Sequence, residues 1–293
     1  MQHFLTSYIA PFRLGLYLVG LTYSAFWLFL IGGLVTMEWA RRRLDAWPLI
    51  TLAILMVAGT LVRETMLLLV PVVFFVPSPS FRTRLTRTAT SAIPGCLALL
   101  VTHAIAHRTN TYTFTAAARD SLSAFTPAGV VVACFIAFGA PLVLCIAYPR
   151  TALAVLRREP HLAALIGIVV ILAAFGGTNT EVFLTWSIPA VFVVAGQVVE
   201  THWSEIRVAV LALLLAAQLL LARVFWPIPD YPGGQRATAV LTPLGRNIPY
   251  LDLASKFAPH GQNVAVAIQC VVLTVVVAAG RAKGSKPSPA QAP

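Results

Sequence analysis

Apolar runs of about twenty residues recur along this chain of 293 residues, and few charges interrupt them. No other feature narrows the fold as much. Where water is absent, a helix satisfies every backbone N–H and C=O within its own segment. Charged residues make up only 11% of the chain, against about 25% in ordinary soluble domains. A transmembrane β-barrel would need segments of about ten residues with alternating polarity, and the sequence lacks that alternation. The expected fold is therefore all-α, a polytopic transmembrane helical bundle of about nine membrane segments. These fall at 14–37, 48–62, 65–77, 91–106, 128–148, 161–177, 182–199, 206–225 and 263–280. Residues 1–280 are read as the transmembrane domain and residues 281–293 as a disordered cytoplasmic tail.

Two pairs of segments are unusual. The stretches 48–62 and 65–77 are shorter than the ~20 residues a full span requires. They read as two short helices meeting at Arg63-Glu64. The stretches 161–177 and 182–199 form a similar pair around Thr178-Asn179-Thr180-Glu181. The charge of Arg63 and Glu64 at such depth costs several kcal/mol, on the order of 3 for each group. A chain keeps such groups mainly where they face protein, water or a ligand.

Orientation follows from the basic residues. Thirteen of the 21 Lys and Arg residues fall in one set of loops: Arg41 to Arg43, Arg82/Arg84/Arg87, Arg150/Arg157/Arg158, Arg207 and the C-terminal Arg281/Lys283/Lys286. That set should be cytoplasmic. The net charge of +11 is thus read as a topology signal, and nucleic acid is excluded as a partner. Arg63-Glu64, Asn179-Thr180-Glu181 and the polar stretches 107–127 and 226–262 then face the extracytoplasmic side. The N-terminus falls outside too, without an evident signal peptide, which implies a further upstream part with an odd number of spans. The expected location is the bacterial inner (plasma) membrane, multi-pass, with a cytoplasmic C-terminus.

Chemistry-bearing residues are sparse. Cys96, Cys134, Cys145 and Cys270 sit in apolar stretches with no CxxC, and read as small buried hydrophobes. His103 and His107 lie four apart with no third ligand, so no metal site is expected. There is no P-loop, GxSxG or HExxH motif. The expected binding residues are Arg63, whose planar fork suits phosphate, with Glu64, and Asn179 with Glu181, a natural counter-ion for Arg63. Arg236 and Arg246 follow in the 226–262 loop. Asp120 and Asp230 are the candidate catalytic acids. Each has a plainer reading: a snorkelling Arg63, a capped helix start at 179–181, an ordinary folded loop beyond Trp226.

The residues LVRETMLLLVPVVFF resemble a segment found in many GT-C membrane glycosyltransferases, and GGTNTEVFLTWSIPAVFVVAG resembles a later segment of the same family. Together they cover 36 residues, in the family's order. Arg63 and Glu64 fall on the family's Arg-Glu, and Glu181 on its Glu. Asn179 stands where Asp is common and Val182 where Arg is common. The resemblance implies an enzyme moving a sugar from a polyprenyl-phosphate donor to an acceptor on the extracytoplasmic face. Such enzymes carry acidic residues in their first outer loop, and MQHFLTSYIAPFR contains none, so the chain reads as a C-terminal part. No cofactor is evident, and a divalent metal enters only with such an acidic loop. A transporter or flippase of a lipid-linked or anionic solute also suits intramembrane charge at broken helices, though no repeated halves are seen. A non-catalytic membrane scaffold is the third class.

Overall fold

A computed structural model describes residues 21–42, 46–105, 126–175, 180–204 and 260–282, with scattered positions at 115–122 and 206–214. Every regular element among the described residues is helical, as the backbone argument requires. The first is α1 (Leu21–Arg42), followed by α2 (Ala46–Val62). They pack antiparallel through small residues: Gly32 lies against Leu55, and Gly59 against Phe29. A 3-10 turn (Glu64–Leu68) and a short α3 (Leu69–Phe75) carry the chain back. Next, α4 (Phe81–Ile105) runs parallel to α2, with Gly95 seated against Met56 and Thr60.

The segments read at 48–62 and 65–77 are thus two short helices meeting at Arg63. The segment read at 91–106 begins ten residues earlier. Ser80 Oγ accepts from the Thr83 backbone N–H at 3.1 Å, capping a helix whose first turns are too polar for an apolar window to catch. The segment read at 128–148 is broken. It forms α5 (Pro127–Phe138) and α6 (Ala140–Ala147), separated by Gly139 at φ 55°. Only glycine adopts that conformation freely.

An element absent from the sequence reading follows. The arginine-bearing stretch after Tyr148, expected as a loop, forms α7 (Pro149–Arg158). It buries Ala152 and Val155 on one face and exposes Arg150, Arg157 and Arg158. Pro149 opens α7 and Pro160 opens α8 (Pro160–Phe175), where a missing N–H costs nothing. The two helices meet at 106°. The last pair is α9 (Thr180–Thr185) and α10 (Ile188–Thr201), interrupted at Trp186-Ser187, and α11 (His260–Ala282) packs against α5 and α6. The segment read at 206–225 lies largely outside the described residues.

By length and composition, α4 is the one described helix able to cross a membrane unaided, and α5–α6 and α7–α8 qualify if each bent pair is one span. Large apolar side chains on α4 face outward, including Ile93, Leu97 and Leu100. The core runs through Phe26, Leu30, Met56, Met66, Leu165 and Trp186, all fully buried.

The close approach of α2 to the 3-10 turn yields a stability test. A Cβ at Gly59 would stand 2.6 Å from Met66 Cγ and 3.1 Å from Phe29 Cβ. A Cβ at Gly33 meets only the end of a flexible chain, Leu69 Cδ1 at 2.6 Å, within 3.4 Å. Gly59→Ala is expected to cost about 1–3 kcal/mol by overpacking, and Gly33→Ala less. Denaturant unfolding in detergent measures both, and a larger cost at Gly33 would contradict this packing.

Candidate functional site

Arg63 stands in the break between α2 and the 3-10 turn, with extended backbone (φ −159°, ψ 122°). Its N–H still closes α2 by donating to Gly59 C=O at 2.8 Å, and its C=O accepts from Met66 N–H at 3.0 Å. The backbone is therefore satisfied on both sides of the break. The side chain is half-buried. Its guanidinium lies over the Trp186 ring, 5.2 Å from the centroid, and 5.9 Å from that of Phe26. Glu64, one residue on, is exposed.

The aromatic floor is itself packed. Trp186 meets Phe26 at 5.0 Å and Phe183 edge-on at 4.9 Å. The face of an aromatic ring attracts a guanidinium by about 0.5–1 kcal/mol when exposed and about 2 when desolvated. Trp186 Nε1 is buried and makes no hydrogen bond to any described residue. An orphan indole N–H is costly in a dry interior.

This packing brings together two stretches 120 residues apart in sequence. Trp186 and Phe183 belong to the segment containing Asn179 and Glu181, and α8 packs along α3. The backbone of Glu181 lies in the first turn of α9. Its side chain, and Asn179, Asp120, Asp230, Arg236 and Arg246, lie outside what the structure describes. Among the described residues, no group of three His, Cys, Asp or Glu is placed to hold a metal ion; no disulfide joins the four cysteines, and Cys96, expected as a buried hydrophobe, is exposed because it lies on the outward face of α4.

At the opposite end lies a polar cluster that the sequence reading left in loops. Arg41 Nη1 donates to Glu159 Oε2 at 2.5 Å across 118 residues of chain. Glu38 accepts from Arg42 Nε at 2.9 Å and lies 3.6 Å from Arg41 Nη1. Arg158 Nη2 donates to Gln197 Oε1 at 3.0 Å, and Gln197 Nε2 to Glu200. Arg87, buried, donates from Nη2 to Ala40 C=O at 2.9 Å and so occupies an orphan carbonyl in the last turn of α1. Arg41, Arg42, Arg87 and Arg158 thus gather at one end. Phe26 and Arg41 are fifteen residues apart on α1, so the Arg63 site stands about 22 Å away along the helix. The signal for α7, though not for the charge pairs, was the apolar spacing Ala152, Val155, Leu156 between two prolines.

No protein-family model, no curated protein and no solved structure matches this chain.

Proposed function

We propose that this chain is a multi-span membrane protein of the GT-C glycosyltransferase kind, and that Arg63 holds the phosphate of a polyprenyl-phosphate sugar donor. The observation carrying this reading is the meeting of the two motif-bearing segments at the guanidinium of Arg63, set on Trp186 and Phe26. A ring floor fixes the guanidinium plane, and a planar guanidinium carries a fork of N–H donors suited to phosphate oxygens. Sugar transfer from such a donor leaves negative charge on the departing phosphate, and a preorganised cation stabilises it most where water is excluded. Glu64, Asn179 and Glu181 would orient the arginine and the sugar, with Arg236 and Arg246 as further phosphate contacts. Asp120 and Asp230 are the acids to test first as the base that activates the acceptor.

The test is binding of a fluorescent polyprenyl phosphate to the full chain in detergent. Arg63→Ala should weaken binding about 10- to 100-fold, the range of a charged hydrogen bond. Arg63→Lys should recover only part, because an ammonium cannot offer the fork. Equal binding by all three forms removes Arg63 from the site. A second reading, transport of an anionic lipid, is favoured by the helices broken at Gly139 and at Trp186-Ser187. Lipid movement across vesicles without sugar transfer would select it.

The placement proposed is the bacterial inner membrane, with the Arg63 end extracytoplasmic and the arginine-rich end and C-terminus cytoplasmic. In a chain freed of its four native cysteines, Glu64→Cys should react with an impermeant thiol reagent in intact cells. Arg150→Cys should react only after permeabilisation. The reverse pattern overturns the orientation.

A further inference from the structure

The end of the bundle opposite Arg63 contains a crevice of about 470 Å³ between α1, the α7–α8 elbow and α10. One wall is apolar: Ile31 and Val35 on α1 face Pro189 and Val193 on α10. Ile31, Val35 and Val193 are 47%, 64% and 50% exposed, so no described residue covers them. At the upper rim stand Arg42 and Arg158, exposed by 76% and 63%. We infer that this crevice binds an anionic phospholipid, with an acyl chain along the apolar wall and the phosphate between Arg42 and Arg158. The inference rests on membrane placement and is independent of the transferase reading.

Three observations carry it. First, polarity is graded along one axis. From Ile31 to Arg42 the wall rises eleven residues, about 16 Å of helix. An inorganic anion would use only the rim, whereas a lipid uses the whole length.

Second, the charges leave an excess of cation. Three guanidiniums (Arg41, Arg42, Arg158) meet two carboxylates (Glu38, Glu159) in the lining. Arg41 is taken up by Glu159, and Glu200 beyond the rim is engaged by Gln197. Arg158 spends one N–H on the neutral Gln197 and stays 3.7 Å from Glu159. Arg42 has a single described partner, Glu38, which also faces Arg41. Arg150 and Arg157, exposed on α7, add positive charge nearby.

Third, the elbow sets the arginines at the right depth. With α7 at 106° to α8, α7 lies along the membrane surface whenever α8 crosses it. An amphipathic helix in that plane puts its basic residues at headgroup level. Anionic headgroups there attract each nearby arginine.

The experiment titrates the full chain in zwitterionic detergent with a fluorescent phosphatidylglycerol. A phosphatidylcholine with the same chains and inorganic phosphate serve as comparison probes. The Arg42→Gln/Arg158→Gln double variant should lose phosphatidylglycerol affinity about thirty-fold, roughly fivefold per arginine, and bind phosphatidylcholine as before. Val193→Trp, which fills the crevice and leaves every charge, should weaken both lipids. Thermal unfolding run beside each titration identifies any variant that has lost its fold, and Val193→Trp then decides. Unchanged phosphatidylglycerol binding in folded variants overturns the inference. So does equal competition by inorganic phosphate, which would mean an anion site without a lipid.

Discussion

Trp186→Ala should lower the free energy of unfolding by about 3 kcal/mol, the largest loss expected from a single truncation among the described residues. Large aromatic truncations in protein cores cost about 3–5 kcal/mol, part of it transfer from water and part of it the cavity left behind. In a bilayer the transfer part shrinks, because lipid also solvates the indole when the helices separate. The remainder is local. Trp186 is fully buried, touches Phe26 and Phe183 ring to ring, and floors Arg63. Its loss removes the contacts of two rings and one cation together. Trp186→Phe keeps a ring face and should cost less than half as much, even though it deletes the orphan Nε1 donor, whose removal is favourable. Urea unfolding in a mild detergent measures both. An alanine variant within about 0.5 kcal/mol of wild type, the range of neutral surface changes, would mean that Trp186 does not support the bundle.

Among the described residues, most uninterrupted apolar stretches were legible as helices, because backbone groups without water must bond internally. The break at Arg63 was legible from charge, and α2 and α3 end and begin around it. Other boundaries were hidden for identifiable reasons. The start of α4 depends on a cap at Ser80 followed by three polar turns, which an apolar count reads as loop. The turn at Gly139 depends on one positive φ, and glycine within an apolar run is otherwise unremarkable. The helix α7 is only ten residues long and carries three arginines, so it read as a basic connector. Its apolar spacing identifies it only once the flanking prolines are taken as helix starts.

The site was legible in part. Arg63 was singled out by its charge, and the aromatic floor was not, since Phe26 and Trp186 look like any core residues in an apolar chain. Their role comes from a tertiary contact, that of Arg63 with Trp186, across 123 residues. The polar cluster at the other end was missed for the same reason. Arg41 and Glu159 each sit in a loop-like stretch, and nothing local indicates that they meet. Charge pairs between distant helix ends leave no periodic trace, whereas helix faces do.

That distant pair carries the second large effect. Glu159 ends α7 at φ −119° and its C=O accepts from Leu162 N–H at 3.0 Å, so it is the corner of the elbow. Its carboxylate reaches Arg41 and, at 3.8 Å, His161 Nδ1, and it is 16% exposed. Removing one member of a buried pair costs about 3–5 kcal/mol, because the other is left uncompensated. Here Arg41 is a third exposed and keeps Glu38 at 3.6 Å, which reduces the penalty. Glu159→Gln should therefore cost about 2 kcal/mol, the amide retaining the corner's shape and one hydrogen bond. Arg41→Gln should cost less, since Glu159 then still faces Arg158. The double variant should be more stable than the sum of the singles by about 1 kcal/mol, the sign of a direct interaction. Strict additivity in that cycle would show that the corner holds by its backbone and prolines alone, with the ion pair incidental to the elbow.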